Sequence, residues 1–408
     1  MRLRIVLWVA LPLWAQDTLH LTLQEAVAMA LRQNPSLAAV RQAVEEADAR
    51  IKQARSNFFP QLGFNGIGKA GLSGATNGLG LTGLPNSPYY RNFADSLNAS
   101  YRASDFGRTE ADVRAAEASV SLSVERAFYG LLRARRLREV AAEIVRSREQ
   151  TVRQAQAFYE GQIRSRVDLD LARAHLAKAQ LGALEAENAA REAVAELGRA
   201  LGASQEADYA LQAPDLSLQQ PDPLPKLIED TNKMRPALQS LRAEHEAALE
   251  AVALARSQRK PFLSFVFSSG YARFTNVLAR QLLAGGAGLI LPLFTGGNLE
   301  GQLEETEARL RRLESRLDDL LQQVTLETRT AYFRLQNAQA SIPTRQQQAD
   351  YARSAARLAR ARYRERLGSM VELSQAEAAL AEAEATQAAA VFQAKTAEAE
   401  LRFAAGRD

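Results

Sequence analysis

The residues that could do chemistry are few and poorly placed for it. The 408-residue chain has three histidines, His20, His175 and His245, and no cysteine. The histidines lie far apart in sequence without metal-ligand spacing, so a helix surface is their default place. Serine and aspartate are plentiful, yet nothing resembles a nucleophile elbow or a phosphate-cradling loop. Gly78, Gly80 and Gly83 satisfy G-x-G-x-x-G by letter. They sit in a stretch that reads as a strand hairpin, without the strand–turn–helix setting such a loop requires, and the match is discarded. Neither an enzyme nor a resident metal or cofactor is expected. Charge adds no nucleic-acid footprint, because 51 Lys+Arg are balanced by 47 Asp+Glu, the mixture of a solvated helix surface.

The sequence carries repetition instead. Pro35, Leu37, Arg41, Glu45, Ala47, Ala54, Arg55, Ser56, Pro60, Leu62 and Phe64 recur 201 residues later as Pro236, Leu238, Arg242, Glu246, Ala248, Ala255, Arg256, Ser257, Pro261, Leu263 and Phe265. Each copy reads as a helix bracketed by prolines and followed by an alternating, strand-like run. The chain is a tandem duplication, with repeats over 16–213 and 226–408 and a proline-rich linker over 214–225.

Residues 1–15 read as a secretory signal. Arg2 and Arg4 form the charged start, 5–13 an apolar run, and Ala15 a small residue at a plausible cleavage point. With no cysteine following, an N-terminal lipid anchor is not expected. No later stretch approaches the roughly 20 apolar residues of a spanning helix, so any membrane crossing must use strands.

Thr22-Leu-Gln-Glu25 spells a capping box opening a short helix that stops near Asn34-Pro35, and a second helix runs from Pro35 to about Phe58. Glycine-rich, alternating texture then predicts a β-hairpin over 61–104, with Leu97, Ala99, Tyr101 and Ala103 on its return strand and a loop near 76–88. The second repeat has its hairpin over 262–294, turning near Thr275-Asn276. Four strands cannot close a barrel, and left open they expose edges; three chains supplying four each would close one. Long helical hairpins follow over 107–202 and 298–405, reversing near Gly161 and Gly368, where glycine permits the turn. Counted from Gly107 and Asn298, the outgoing helices are unequal, about 54 and about 70 residues, with Pro343 as a kink candidate in the second.

The returning helices carry heptads. Leu169, Leu176, Ala183, Ala190 and Leu197 recur every seven residues beside Ala172, Ala179, Ala186, Ala193 and Ala200. The second copy repeats this with Leu373, Leu380, Gln387, Ala394 and Leu401 beside Ala376, Ala383, Ala390, Ala397 and Ala404. An unbroken alanine row lets neighbouring helix backbones approach closely in coiled-coil packing.

This pattern resembles the TolC-like outer membrane efflux proteins over almost the whole mature chain. The resemblance rests on the segment 21–35, the repeated approach through proline into strands, and Asp105-Phe-Gly-Arg-Thr109. It rests also on Ala127-Phe-Tyr129 against Ala331-Tyr-Phe333, and on Leu197-Gly-Arg-Ala-Leu-Gly202. It implies a mainly α protein with a transmembrane β-barrel part: a homotrimer whose 12-stranded barrel continues into a periplasmic α-helical barrel. It implies a passive exit duct in the outer membrane, coupled to a periplasmic adaptor and an inner membrane pump of an efflux or type I secretion system. By the same resemblance, Gly161, Ser165, Gly368 and Ser369 form the adaptor contact, and Asp168 and Glu372 line a pore constriction favouring cations. The next position of the family's acidic ring falls on Gln375, and relative to the family the first tip is one residue longer and the second two shorter. The residues themselves leave a periplasmic adaptor or a structural coiled coil open, although paired strands before each hairpin favour the channel.

Overall fold

The computed structural model of the protein describes residues 19–56, 93–203, 209–212, 216–271 and 281–407. The expected leader, the outgoing strand of the first β-hairpin with its loop, and the Thr275-Asn276 turn lie outside the described residues. The chain forms two compact units, one of residues 1–38, 117–231 and 326–408, the other of 39–116 and 232–325.

The duplication reaches further back than the sequence identities reveal. Helix α1, Leu23–Gln33, opens on the expected capping box: Thr22 N donates to Glu25 Oε2 at 2.9 Å, and Glu25 N to Thr22 Oγ1 at 3.2 Å. Helix α2, Pro35–Ser56, follows at once. In the second repeat, α5 (Leu224–Met234) and α6 (Pro236–Ser257) occupy the same intervals shifted by 201, each pair with identical length. The 214–225 linker is therefore shorter than its prolines suggest, since α5 begins inside it.

Helix α3 runs Phe93–Glu160 and α4 Arg166–Leu201; α7 runs Asn298–Arg364, with Pro343 inside it, and α8 Met370–Ala404. The outgoing helices are thus 68 and 67 residues long, and the expected inequality disappears. The reason is that residues 93–104, expected as a return strand, are helix. Leu97 and Tyr101 satisfy an i, i+4 helical spacing as well as alternation, so the pattern did not discriminate. A helix also closes its own hydrogen bonds without a neighbouring strand.

In the second unit, β3 (Phe262–Tyr271) pairs antiparallel with β4 (Gln281–Ile290) over ten residues, from Phe262–Ile290 to Tyr271–Gln281. Ten tilted residues suit the apolar thickness of a bilayer, for which about 9–11 are needed. Residues 291–294 fall beyond the strand. Arg256 pairs with Glu307 at 2.9 Å and Arg259 with Glu300 at 3.4 Å. No helix among the described residues is long and apolar enough to cross a membrane.

The first unit closes both returning helices in related ways. Gln33 Nε2 and Asn34 Nδ2 donate to the Leu201 and Ala200 carbonyls, at 3.2 and 3.1 Å, satisfying the end of α4. Gly202 there adopts φ +75°, and a Cβ would come within 2.9 Å of Asn34 Cα. At the end of α8, Thr231 and Thr328, 3.0 Å apart, share the Ala404 carbonyl. A short parallel pair, β1 (Leu19–Leu21) with β2 (Tyr209–Leu211), joins the start of the chain to the region after α4. That pair was not legible in the sequence. The heptad rows face inward as expected, with Leu169, Leu197, Leu373 and Leu401 buried beside Ala172, Ala193, Ala383 and Ala397.

Candidate functional site at the helix tips

Both reversals are five-residue loops, 161–165 and 365–369. Their hydrogen bonds match one for one. Gln162 N donates to Tyr159 O at 2.9 Å and Ile163 N to Phe158 O at 2.8 Å; Arg366 N donates to Tyr363 O at 3.1 Å and Leu367 N to Arg362 O at 2.7 Å. This is the Schellman pattern, in which one left-handed residue lets the chain leave the helix.

The left-handed residues are Gln162 (φ 55°) and Arg366 (φ 67°), which corrects the expected role of the glycines. Gly161 and Gly368 do not occupy equivalent positions, and neither has positive φ. They serve close packing: a Cβ on Gly161 would meet Ala157 O at 3.2 Å, and one on Gly368 would meet Arg362 Cβ at 3.1 Å and Glu372 Oε2 at 3.2 Å.

Ser165 and Ser369 are the N-caps of α4 and α8. Ser369 Oγ accepts from Glu372 N at 3.1 Å, whereas Ser165 makes no side-chain cap. Both serines are exposed. Asp168 and Glu372 stand at the third helical position of α4 and α8, equivalent as expected and favoured there by the helix dipole. Their partners differ. Glu372 pairs with Arg362 Nε at 3.0 Å. Asp168 lies beside Tyr363, whose hydroxyl is buried without a hydrogen bond of ordinary geometry. Gln375, one turn beyond Glu372, is exposed.

Three residues that sequence reasoning passed over organise this end. Tyr363 is fully buried among Ala155, Leu169, Ala172, Met370 and Leu373, with the Phe158 ring centroid 5.7 Å away. Burial, then the Asp168 charge, pushes its hydroxyl up to about 12 against the opposing pull of Arg164. Arg164 covers the Tyr363 ring at 5.2 Å and donates to Gly368 O at 2.7 Å, binding one loop to the other. Further along the helices, the buried Glu377 of α8 is held by Arg148 of α3, by Thr151 Oγ1 at 3.1 Å, and by Arg360 Nε of α7 at 2.8 Å. Burial lowers Arg148 from its usual range while Glu377 opposes that shift. No motif announces these contacts, because each joins residues that only tertiary packing brings together.

Paired, equally long helical hairpins ending in matched loops, on a chain that also carries a membrane-length β-hairpin, define the class of exit-channel protomers. The model of the family described as "Outer membrane efflux protein" matches residues 26–203 and 227–407, and the chain belongs to that family, whose members are channels of the outer membrane extending into the periplasm. Among curated proteins it is similar to Protein CyaE of Bordetella pertussis, 25% identical over 345 residues, covering 79% of this chain and 70% of that one. It is similar also to the fusaric acid resistance protein FusA of Burkholderia cepacia, 27% identical over 308 residues, 70% of this chain but only 58% of that relative. Its fold is that of the outer membrane protein VceC of Vibrio cholerae (TM-score 0.80, 22% identity, 94% of this chain and 96% of that one). The CmeC outer membrane channel of Campylobacter jejuni has it too (TM-score 0.81, 16% identity, 100% and 93%).

Proposed function

We propose that this chain is one protomer of a homotrimeric exit duct, passing substrates that an inner membrane pump delivers through a periplasmic adaptor. The observation that carries this reading is the pair of matched hairpin loops in a chain of the efflux family, both built to one backbone pattern. In this reading Gly161, Ser165, Gly368 and Ser369 belong to the adaptor-facing end, and Ser165 and Ser369 offer exposed hydroxyls there. Asp168, Glu372 and Gln375 narrow the duct just inside it. Three copies of each acid form a ring that attracts cations, with Arg362 moderating the Glu372 contribution. FusA is named for fusaric acid resistance, consistent with a duct whose cargo the pump selects.

Cell fractionation followed by mass measurement in detergent tests the placement. The expected result is recovery with the outer membrane, extraction only by detergent, and three chains per particle. Release into detergent-free periplasmic extract as a monomer would contradict it.

A further inference from the structure

A groove crosses the helix wall of the first unit, far from the tips, and its lining is basic. On α3, Arg126, Tyr129, Gly130 and Arg133 follow i, i+3, i+4, i+7 spacing and form one face. Arg334 of α7, with Phe392 and Glu400 of α8, completes a cleft of about 350 Å³. That volume falls among small-molecule sites, which begin at roughly 300 Å³.

Three guanidiniums stand there against a single carboxylate. Glu400 accepts from Arg126 at 2.8 Å and meets Arg334 only at 3.9 Å. Arg133 is exposed and has no ion-pair partner among the described residues. The groove therefore keeps a net positive charge, with donors of Arg133 and Arg334 open to a ligand. Tyr129 and Phe392 supply aromatic surface beside them. Guanidinium forks match pairs of anionic oxygens and stack on flat rings. A Cβ on Gly130 would meet nothing within 4 Å, so the floor of the groove is open space.

The three helices agree on which side the groove faces. Arg135 of α3 donates to Tyr209 O of β2 at 2.7 Å, and it stands nine residues from Arg126, about 180° round the helix. Lys395 of α8 donates to Ser217 O, and Gln339 of α7 donates to Gln219 O at 2.9 Å. They stand five residues, about 140°, from Glu400 and Arg334 respectively. The segment joining the repeats thus straps one side of the wall, and the groove opens on the other. A strap crossing the bore would block it, so in a duct the strap lies outside and the groove inside.

We infer that this groove is an anion site on the inner wall, taking small organic acids with a flat apolar body. The inference rests on the duct reading and adds a ligand class within the bore. Arg133 stands 27 residues before the end of α3, about 40 Å from the tip at 1.5 Å per residue. The acids at the tips and this basic groove are separate stations along one path.

Naphthalene-1,5-disulfonate, too highly charged to enter micelles, is the probe for calorimetry on the full-length protein in non-ionic detergent. The expected result is one site per chain, weakened about tenfold or more by Arg133→Ala combined with Arg334→Ala. Gly130→Leu, which keeps every charge and fills the open floor, should weaken it similarly. In planar bilayers the probe should block current through the unsubstituted protein and through neither variant. Equal binding by all three proteins would overturn the groove. Sulfate binding as tightly as the disulfonate would overturn the ligand class, leaving only diffuse charge. Binding without block of a conducting channel would overturn the inner placement and leave the duct standing. Protein that binds the probe yet never conducts would remove the duct, and the inner placement with it.

Discussion

Tyr159 and Tyr363 hold the same place, one residue before the end of α3 and of α7, yet Tyr159 is 41% exposed and Tyr363 is fully buried. The same shift of 204 residues relates Arg164 to Gly368, Asp168 to Glu372, and Arg173 to Glu377. The backbone hydrogen bonds survive duplication because they depend only on helix-end geometry. Side chains diverge because the copies sit in different surroundings. Arg164 of the first loop closes over the second, and the second offers it a ring and a carbonyl. Duplication kept the frame and redistributed the interactions within it.

The sharpest way to break this comparison is at the buried charge. Glu377→Ala leaves Arg148 buried without its carboxylate, and removing one partner of a buried pair costs about 3–5 kcal/mol. Arg173→Ala at the equivalent exposed position, where the side chain only reaches Gln156, should stay within about 0.5 kcal/mol. Denaturant or thermal unfolding in detergent measures both, and equal losses would refute the asymmetry.

The tyrosines come next. Tyr363→Ala opens a cavity in the tip core and should cost about 3 kcal/mol or more, against less than about 1 kcal/mol for Tyr159→Ala. Tyr363→Phe separates ring from hydroxyl. With its folded pKa at about 12 against 10 unfolded, Tyr363 keeps its proton in the folded state while the unfolded chain loses it. Stability should therefore fall as pH rises from about 10 to 12, and melting curves of Tyr363→Phe should show a shallower fall over that window.

Smaller effects probe the loops. Gly368→Ala should cost about 1 kcal/mol by crowding Arg362 and Glu372, whereas Arg366→Gly, relieving a left-handed side chain, should be neutral or stabilise by up to about 1 kcal/mol. Ser369→Ala removes a cap worth about 1 kcal/mol; Ser165→Ala removes none. The reverse ordering in either pair would show that the glycines and serines act as mere turn residues.

Much of the frame was legible because it is local. The repeat around Pro35 and Pro236, the Thr22–Glu25 capping box, and the alanine rows facing inward all follow from patterns within a few turns. Segment 93–104 was misread because Leu97 and Tyr101 fit helix and strand periods alike. The reversals were located correctly, but their left-handed residues were assigned to the glycines nearby. Gln162 and Arg366 have no local signature for positive φ; their conformation follows from the Schellman closure. Of the site, Asp168 and Glu372 were placed in equivalent positions, while the Arg362, Arg164, Tyr363 and Glu377 contacts needed the packed helices. The single β1–β2 pair joins residues 190 positions apart, Leu19 with Tyr209, beyond any local pattern.

Single-channel recording in a planar bilayer tests the central claim most directly, comparing the purified trimer with its Asp168→Ala plus Glu372→Ala variant. The account predicts discrete, cation-selective conductance steps that lose selectivity or grow in the variant. Intact trimers that insert without conducting, or conduct with anion preference, would contradict it.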